Sequence, residues 1–570
     1  MSWNFIDDYT GDRFFHFGDS YFDMDQLKMD QHFFTVTPAN SDVNIDNIYV
    51  HTLNKQCVEC PYLFLDKSKV NLTATDQKFR IATKKMEYFP QDHLDSVICD
   101  LDPRFGQFGI YNIKVASDGC VVDTLKEPVN IYLPILTVFV SNLFVFGVIA
   151  LIYILITRYR RKMSPTRNEE DPKPKKQRVV SLDTFRGISI AIMIFANFGN
   201  GGYQFVHHAI WNGLHVADLV FPWFMWIMGV CVPISLVSSF KRNVPRWVIM
   251  SNILKRSVKL FAIGIFLTGG SNMNYIRLFG VLQRFAVSYF VVGAICVFTM
   301  DRDLTVKANS KLKFIDDILK LWKGWIIVLT LLGVHTSIIF LVAEPGCPRG
   351  YLGPGGLHKN RSYEKCIGGA TGYIDRLLLG NHTYQKPTIY SVYEAKPFDP
   401  EGIVGCLTTI FHVFLGVQAG VTLLVFKKHS DRIVRWLGWS VILGIIGGGL
   451  CGFSKEDGII PVNKNLWSLS FVLVTCCFAF FLLTVCYFLI DVRKWWSGKP
   501  LLFAGMNAII LYIGHEMTDN HFPVRMYHYE YNADDWRRTH FAALSSDVWA
   551  VDFWIVVAFY LYKIDYFFTV

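Results

Sequence analysis

Charge is scarce in this 570-residue sequence. Asp, Glu, Lys and Arg make up 18% of it, where an ordinary soluble domain has about 25%. The shortage is uneven: Pro128 to Thr157 is thirty residues with no charge at all, enough to span a bilayer. Disorder, coiled coil and a small disulfide scaffold are excluded by a composition that is 52% hydrophobic and 15% aromatic with mean hydropathy +0.29. Nucleic acid is not expected as a partner. The net charge is +9, but the basic residues sit in short clusters between apolar runs, which is the pattern of membrane topology. Residues 1–30 also lack the apolar stretch of a secretory signal peptide. Either that stretch has been removed from this numbering, or the first span carries the upstream residues across.

The fold class expected is a multi-pass α-helical membrane protein of about eleven transmembrane helices, with a small β-rich N-terminal luminal domain. Residues 1–127 are polar, of mixed charge, and hold short alternating runs at Phe33 to Thr37 and Val121 to Thr124, so they read as that domain. The first span is 128–157. Residues 158–178 form a basic loop with Ser164-Pro165 and Pro172-Lys-Pro174. The ten-helix part is 179–570, with spans near 180–205, 217–240, 247–269, 278–300, 324–343, 402–426, 436–453, 466–490, 500–516 and 547–565, and a long loop at 344–401.

Alternate connections hold 25 Lys and Arg, whereas the opposite short connections 206–216, 270–276 and 455–465 hold only Lys455 and Lys464. The positive-inside rule puts the first set in the cytosol. The N-terminal domain and the 344–401 loop are then luminal, and the C-terminus is cytosolic. Asn-x-Ser/Thr glycosylation acceptors at Asn71, Asn360 and Asn381 all fall on the luminal side. So do Cys57, Cys60, Cys99 and Cys120 in the N-terminal domain, and Cys347 and Cys366 in the long loop, an even number in each, as disulfides in an oxidising compartment need. The other seven cysteines fall in apolar spans and read as small buried hydrophobes. Cys57-x-x-Cys60 has no second Cys or His pair at ligand spacing, so no metal is expected.

Ionisable groups in spans are costly and mark functional candidates. Asp183 and Arg186 share one helix face, either as a stabilising ion pair or as part of a polar pocket open to an anion. Asn197 lies about three turns above, before a glycine break at 199–202, which backbone at membrane depth tolerates only around protein or a cavity. His208 comes next, either a satisfied structural histidine or an active one whose tautomer Asp218 would fix. Arg284 calls for a carboxylate partner among Asp183, Asp218, Asp399 and Glu401. Lys464-Asn465 and His515-Glu516 stand where they could meet a polar substrate or the headgroups. Of Arg246, Lys255, Arg256 and Lys259, at least two read as attraction to anionic lipid, the alternative being a socket for a phosphorylated cofactor.

At these residues the sequence resembles a known family. Ser181-Leu-Asp-Thr-Phe-Arg-Gly187, His208-Ala-Ile-Trp-Asn-Gly213, Val216-Ala-Asp-Leu-Val-Phe-Pro-Trp223, Gly346-Cys-Pro-Arg-Gly350, Phe398-Asp-Pro-Glu-Gly402, Pro461-Val-Asn-Lys-Asn-Leu-Trp-Ser468 and Gly505-Met-Asn507 with Gly514-His-Glu516 are similar, in order, to the heparan-α-glucosaminide N-acetyltransferase family of lysosomal membrane enzymes. The resemblance implies acetyl-CoA as co-substrate on the cytosolic side, and the non-reducing-end glucosamine of heparan sulfate as acceptor in the lumen. It carries the active-site role to His208 and not to the preceding His207. Phe279 departs from the family pattern, which has proline before Gly280-Val-Leu-Gln-Arg284.

On that resemblance the catalytic residues expected are His208, as general base or acetyl carrier, with Asn197 donating to the oxyanion and Asp218 orienting the imidazole. Asp183, Arg186, Asn197, Lys259 and Arg284 would hold the donor. Asn212, Asp399, Glu401, Lys464, Asn465, His515 and Glu516 would meet the acceptor. The bilayer is a partner, and a homodimer is left open. Two alternatives stay in view: a polytopic secondary transporter, which would release no thiol from acetyl-CoA, and an O-acyltransferase of surface sugars.

Overall fold

The computed structural model describes residues 14–17, 20–40, 43–65, 72–163, 179–268, 273–302, 313–385, 387–518 and 539–568. Asn71 and residues 164–178 of the basic loop lie outside them. The amino-terminal part is a set of strands: β1 (Phe14–Phe17), β2 (Ser20–Asp23), β3 (Gln31–Pro38), β4 (Tyr49–Asn54), β5 (Tyr62–Leu65), β6 (Leu72–Ala74), β7 (Gln77–Ala82), β8 (Tyr88–Phe89), β9 (Val97–Leu101), β10 (Ile110–Ala116) and β11 (Gly119–Lys126). They form a β1–β2 hairpin and two sheets, ordered β11-β10-β3-β6 and β8-β5-β4-β7-β9. All pairs are antiparallel except β10 with β3. The alternating runs expected at Phe33 to Thr37 and Val121 to Thr124 fall in β3 and β11. Phe34, Val50, Phe79, Ile81 and Ile113 fill the core between the sheets, as period-two patterning requires. The Cys99–Cys120 disulfide ties β9 of one sheet to β11 of the other.

The rest is helical: α1 (Leu133–Met163), α2 (Val180–Phe198), α3 (Val216–Lys241), α4 (Arg246–Thr268), α5 (Val281–Thr299), α6 (Trp322–Leu341), α7 (Gly369–Leu379), α8 (Gly405–Val425), α9 (His429–Leu450), α10 (Leu469–Tyr487), α11 (Leu501–Met506), α12 (Ala508–Thr518) and α13 (His540–Lys563), with shorter turns between. Among the described residues nine helices are long and apolar enough to cross a membrane: α1, α2, α3, α5, α6, α8, α9, α10 and α13. The expected eleven is therefore not reached by that measure. The fourth expected span is α4, whose Arg246, Lys255, Arg256 and Lys259 break its apolar character. The tenth is divided at Asn507 into helices of 6 and 11 residues.

Burial orders these helices. In α8, 89% of the apolar window is buried, against 6% in α1, so α8 is the axis and α1 a peripheral helix. A Cβ on Gly229 of α3 would strike the carbonyl of Val413, and one on Gly416 of α8 would strike the carbonyl of Trp226. Small residues thus let these two backbones touch, the usual way helices associate without a hydrophobic driving force. α1 is held at the edge by Asn142, which donates to Asp552 of α13.

The strands do not hang free of the helices. Leu53, Cys57, Cys60, Tyr62 and Phe89 share one apolar cluster with Trp211, Phe398 and Leu466. Three loops between helices are thus roofed by the β-rich part. The Cys57–Cys60 disulfide lies in this cluster, and Cys347–Cys366 closes the segment before α7. The other seven cysteines carry no disulfide. Asn381 is exposed in a turn, while Asn360 is half-buried and donates its backbone N–H to Glu59.

Candidate active site

The connection from α2 to α3 begins with a sharp reversal. Asn200, Gly201 and Gly202 have φ of 60°, 63° and 79°, the left-handed region that glycine and asparagine tolerate. Side chains are also excluded: a Cβ on Gly201 would press on Leu544, and one on Gly202 would strike Met29. The chain is thereby returned across the top of the helices and His208 is presented.

Asp218, in the first turn of α3, organises the returning chain. It is fully buried, and its Oδ2 accepts the backbone N–H groups of Ala209 and His215 at 3.0 Å each. Its Oδ1 lies 2.8 Å from His208 Nδ1. The Lys464 ammonium nitrogen is 2.9 Å from His208 Nδ1, 3.4 Å from Nε2 and 3.6 Å from Asp218 Oδ1. Nδ1 cannot both donate to Asp218 and accept from Lys464. A carboxylate only accepts, so the proton belongs on Nδ1 and the lone pair on Nε2. The His208 side chain is 37% exposed while Asp218 is 0%, so an imidazole fixed from beneath is still partly open. Burial, then the Lys464 charge, lowers the His208 pKa below its ordinary value, and Asp218 only partly opposes this.

The loop before α10 braces the same segment. Asn212 donates to Glu456 and accepts from Asn463 at 3.0 Å. Asn465 donates to the carbonyl of Ile210 at 3.1 Å. The structure therefore commits Asn212 and Asn465 to holding the His208 loop. Burial also raises the pKa of Glu456.

Asp399 and Glu401 meet on Arg277. Its guanidinium donates to Asp399 Oδ1 at 2.6 Å and Oδ2 at 3.1 Å, and to Glu401. It also lies over the Tyr384 ring, 4.5 Å from the centroid. Burial alone would raise the Glu401 pKa, but Arg277, Arg284 and Lys464 together hold it below the usual range. Arg277 was missed in the sequence because it falls between a connection and a span. The signal was there: an arginine is conspicuous beside short connections that otherwise carry two lysines. Arg284, expected to pair with one of four carboxylates, instead donates to the carbonyl of Gly402 at 2.9 Å and lies 5.0 Å from the Trp467 ring centroid. Arg277 occupies Asp399 and Glu401, and Asp183 and Asp218 have other partners.

Asn197 closes a third group. Its Nδ2 donates to His515 Nε2 at 2.9 Å and Glu516 Oε1 at 3.0 Å, while His515 Nδ1 donates to the carbonyl of Leu511. Both hydrogens an oxyanion would need from Asn197 are thus engaged. Glu516 and Glu401 both act electrostatically on Tyr512, so this group and the Arg277 group are neighbours.

At the other end of α2 and α3 a cavity of about 970 Å³ is lined by Arg186, Arg242, Lys255, Arg256 and Lys259, and reaches Tyr512. Arg186 pairs with Asp183 at 3.0 Å and also contacts Cys231. Lys255 and Lys259 lie nine and thirteen residues past Arg246, about 14 and 20 Å along the helix. They face the cavity between helices. Three of the four α4 cations thus line this cavity, while Arg246 donates to the carbonyls of Phe298 and Met300. Hydropathy could not show this, because it reports that a helix is charged but not which neighbour its charged face meets.

The profile of a family described as the catalytic part of heparan-alpha-glucosaminide N-acetyltransferase matches residues 178–309. Heparan-alpha-glucosaminide N-acetyltransferase of Homo sapiens is 34% identical, with 94% of this chain and 88% of the human protein covered. The Mus musculus protein of that name is 36% identical, with 82% of this chain and 77% of the mouse protein covered. The chain belongs to the heparan-alpha-glucosaminide N-acetyltransferase family. It is a multi-pass membrane acyltransferase, which sets the carrier alternative aside. The family profile includes the His208–Asp218 pair, Asn197, and the α4 cations. Lys464, Asp399, Glu401, His515 and Glu516 lie beyond it and are brought to this region by the fold.

Proposed function

We propose that the enzyme transfers acetyl from acetyl-CoA to the amine of the non-reducing-end glucosamine of heparan sulfate, with His208 as general base. The observation that carries this reading is the fixed imidazole. Asp218 holds the Nδ1 proton and so leaves the lone pair on Nε2, the His208 side chain is 37% exposed, and Lys464 disfavours the cationic form. At about pH 5 an ordinary imidazole is mostly protonated, so a base working in a lysosome needs such a depression. In the step, Nε2 takes a proton from the amine as it attacks the thioester carbonyl. The C–S bond then breaks, and the thiolate receives that proton as CoA-SH. Lys464 supplies positive charge for the developing oxyanion, the role first expected of Asn197. Asn197 instead orients His515 and Glu516.

The donor is placed in the basic cavity. Five cations, one of them neutralised by Asp183, suit the phosphates of CoA, and the remaining wall suits its uncharged arm. Arg277, with Asp399 and Glu401, shapes the acceptor side. The 25 to 2 division of basic residues and the position of the three disulfides support a luminal His208 end, a cytosolic cavity mouth and a cytosolic C-terminus in the lysosomal membrane. The family name supports heparan sulfate as substrate. The test is thiol release from acetyl-CoA with a fluorescent glucosaminide in detergent. His208→Ala abolishes it while retaining CoA binding. Activity of that variant within tenfold of wild type would overturn the reading. Radiolabel trapped on the enzyme by acetyl-CoA alone would replace the direct attack with a covalent route.

A further inference from the structure

Asn507 was singled out in the sequence, in Gly505-Met-Asn507, and has no part in the chemistry above. It sits fully buried at the break between α11 and α12. Its Nδ2 donates to the carbonyl of Tyr566 at 3.1 Å, and its Oδ1 accepts the backbone N–H of Phe568 at 3.3 Å. The two backbone groups are two residues apart, and one side chain meets both. A side-chain amide is suited to reading both, because it offers a donor and an acceptor in one plane; aspartate and leucine lack the donor.

The approach of this segment is fixed as well. α13 ends at Lys563, and its last turns pack on α11 through Phe503, whose ring lies 5.2 Å from Phe559 and 4.7 Å from Tyr562. The segment beyond the helix is thus tied at one interior residue. Phe568 then lines the basic cavity, beside Gly505 and Met506.

We propose that the tail Tyr566–Phe568 is a wall of the donor cavity, with Phe568 contacting the donor and Asn507 as the positioning residue that sets it there. This rests on the donor reading of the cavity. The tail then governs affinity for the acyl donor, from the end of the molecule opposite His208.

The test uses the full chain in detergent, with KM measured separately for acetyl-CoA and for a glucosaminide. Phe568→Ala raises KM for acetyl-CoA about tenfold, as loss of an aromatic contact with a bound ligand does, and by far more than it changes KM for the acceptor. Phe568→Leu recovers part of the loss. Asn507→Asp moves the same KM; should that variant fail to fold, Phe568→Ala still decides, because its side chain is partly exposed. Alkylation of Cys231, which also lines the cavity, is followed by mass spectrometry with and without acetyl-CoA. Unprotected Cys231 in the wild type would sink the donor reading itself. Protection in the wild type together with an unchanged donor KM in Phe568→Ala would overturn the tail proposal alone.

Discussion

His208 Nδ1 and Asp218 Oδ1 are 2.8 Å apart, and the second oxygen of the same carboxylate holds the backbone of Ala209 and His215. One buried side chain thus shapes the loop and selects the tautomer. Asp218→Asn separates the two tasks. The remaining oxygen can keep the backbone bonds, while the new NH₂ faces Nδ1 and drives the proton to Nε2. Nε2 then no longer carries the base lone pair. We expect kcat to fall about 100-fold or more, with KM for acetyl-CoA changed less than threefold. Steady-state thiol release decides, and a kcat within threefold of wild type contradicts the tautomer argument.

Lys464 predicts a pH effect of definite sign. Burial and the Lys464 charge both lower the His208 pKa, so the neutral base persists below the ordinary value of about 6.5. Activity is lost only as pH falls through the lowered value. Lys464→Met removes one of the two causes, so the acid limb of kcat/KM moves to higher pH; Lys464→Arg keeps the limb in place. The linkage has the matching sign. Because the unfolded chain takes up this proton more readily, the folded enzyme loses stability as pH falls from about 6.5 toward the lowered value. A pH series of kcat/KM for the three enzymes is the measurement, and superimposed limbs would falsify the role given to Lys464.

Arg277 is the shared counter-ion of two enclosed carboxylates, with its own side chain 18% exposed. Removing one partner of such a group leaves uncompensated charge and costs about 3 kcal/mol or more. Arg277→Met is therefore expected to lower Tm by several degrees. The triple variant Arg277→Met, Asp399→Asn, Glu401→Gln should regain much of that loss, since no charge is then left alone. If the triple variant is as unstable as the single one, the instability comes from packing against Tyr384 and not from charge.

How much of this was legible in the sequence depends on how local each residue's signal is. The β-rich part, the helical spans and the His208–Asp218 pair could be read because hydropathy, period-two runs and a ten-residue spacing are local. Arg277 with Asp399 and Glu401, and Asn197 with His515 and Glu516, are bridges across more than 100 residues, so only the individual groups could be flagged. The partners of Arg284 were misjudged for the same reason: four carboxylates were available in the sequence, and the fold had already given all four to other groups. The count of spans was softened by two features, the cations of α4 and the break at Asn507, and both are where the protein departs from a plain membrane helix to line a cavity.

The α4 cations give the last prediction. Lys255, Arg256 and Lys259 stand well inside the helix, where a charge without a partner is costly, and they line the basic cavity. If they meet phosphate, each contributes a charge-assisted hydrogen bond of about 1.5 kcal/mol or more. Lys259→Gln should then raise KM for acetyl-CoA about tenfold, and Lys255→Gln/Lys259→Gln further. The glutamine variants keep the length of the side chain approximately, so folding is preserved while charge is removed. The effect should shrink as salt is raised, because screening weakens the wild-type interaction first. Acyl donors without phosphates, such as a simple pantetheine thioester, should show no difference between wild type and variant. A donor KM that is insensitive to both substitutions would mean that the charges serve lipid after all, and it would remove the basic cavity from the donor path.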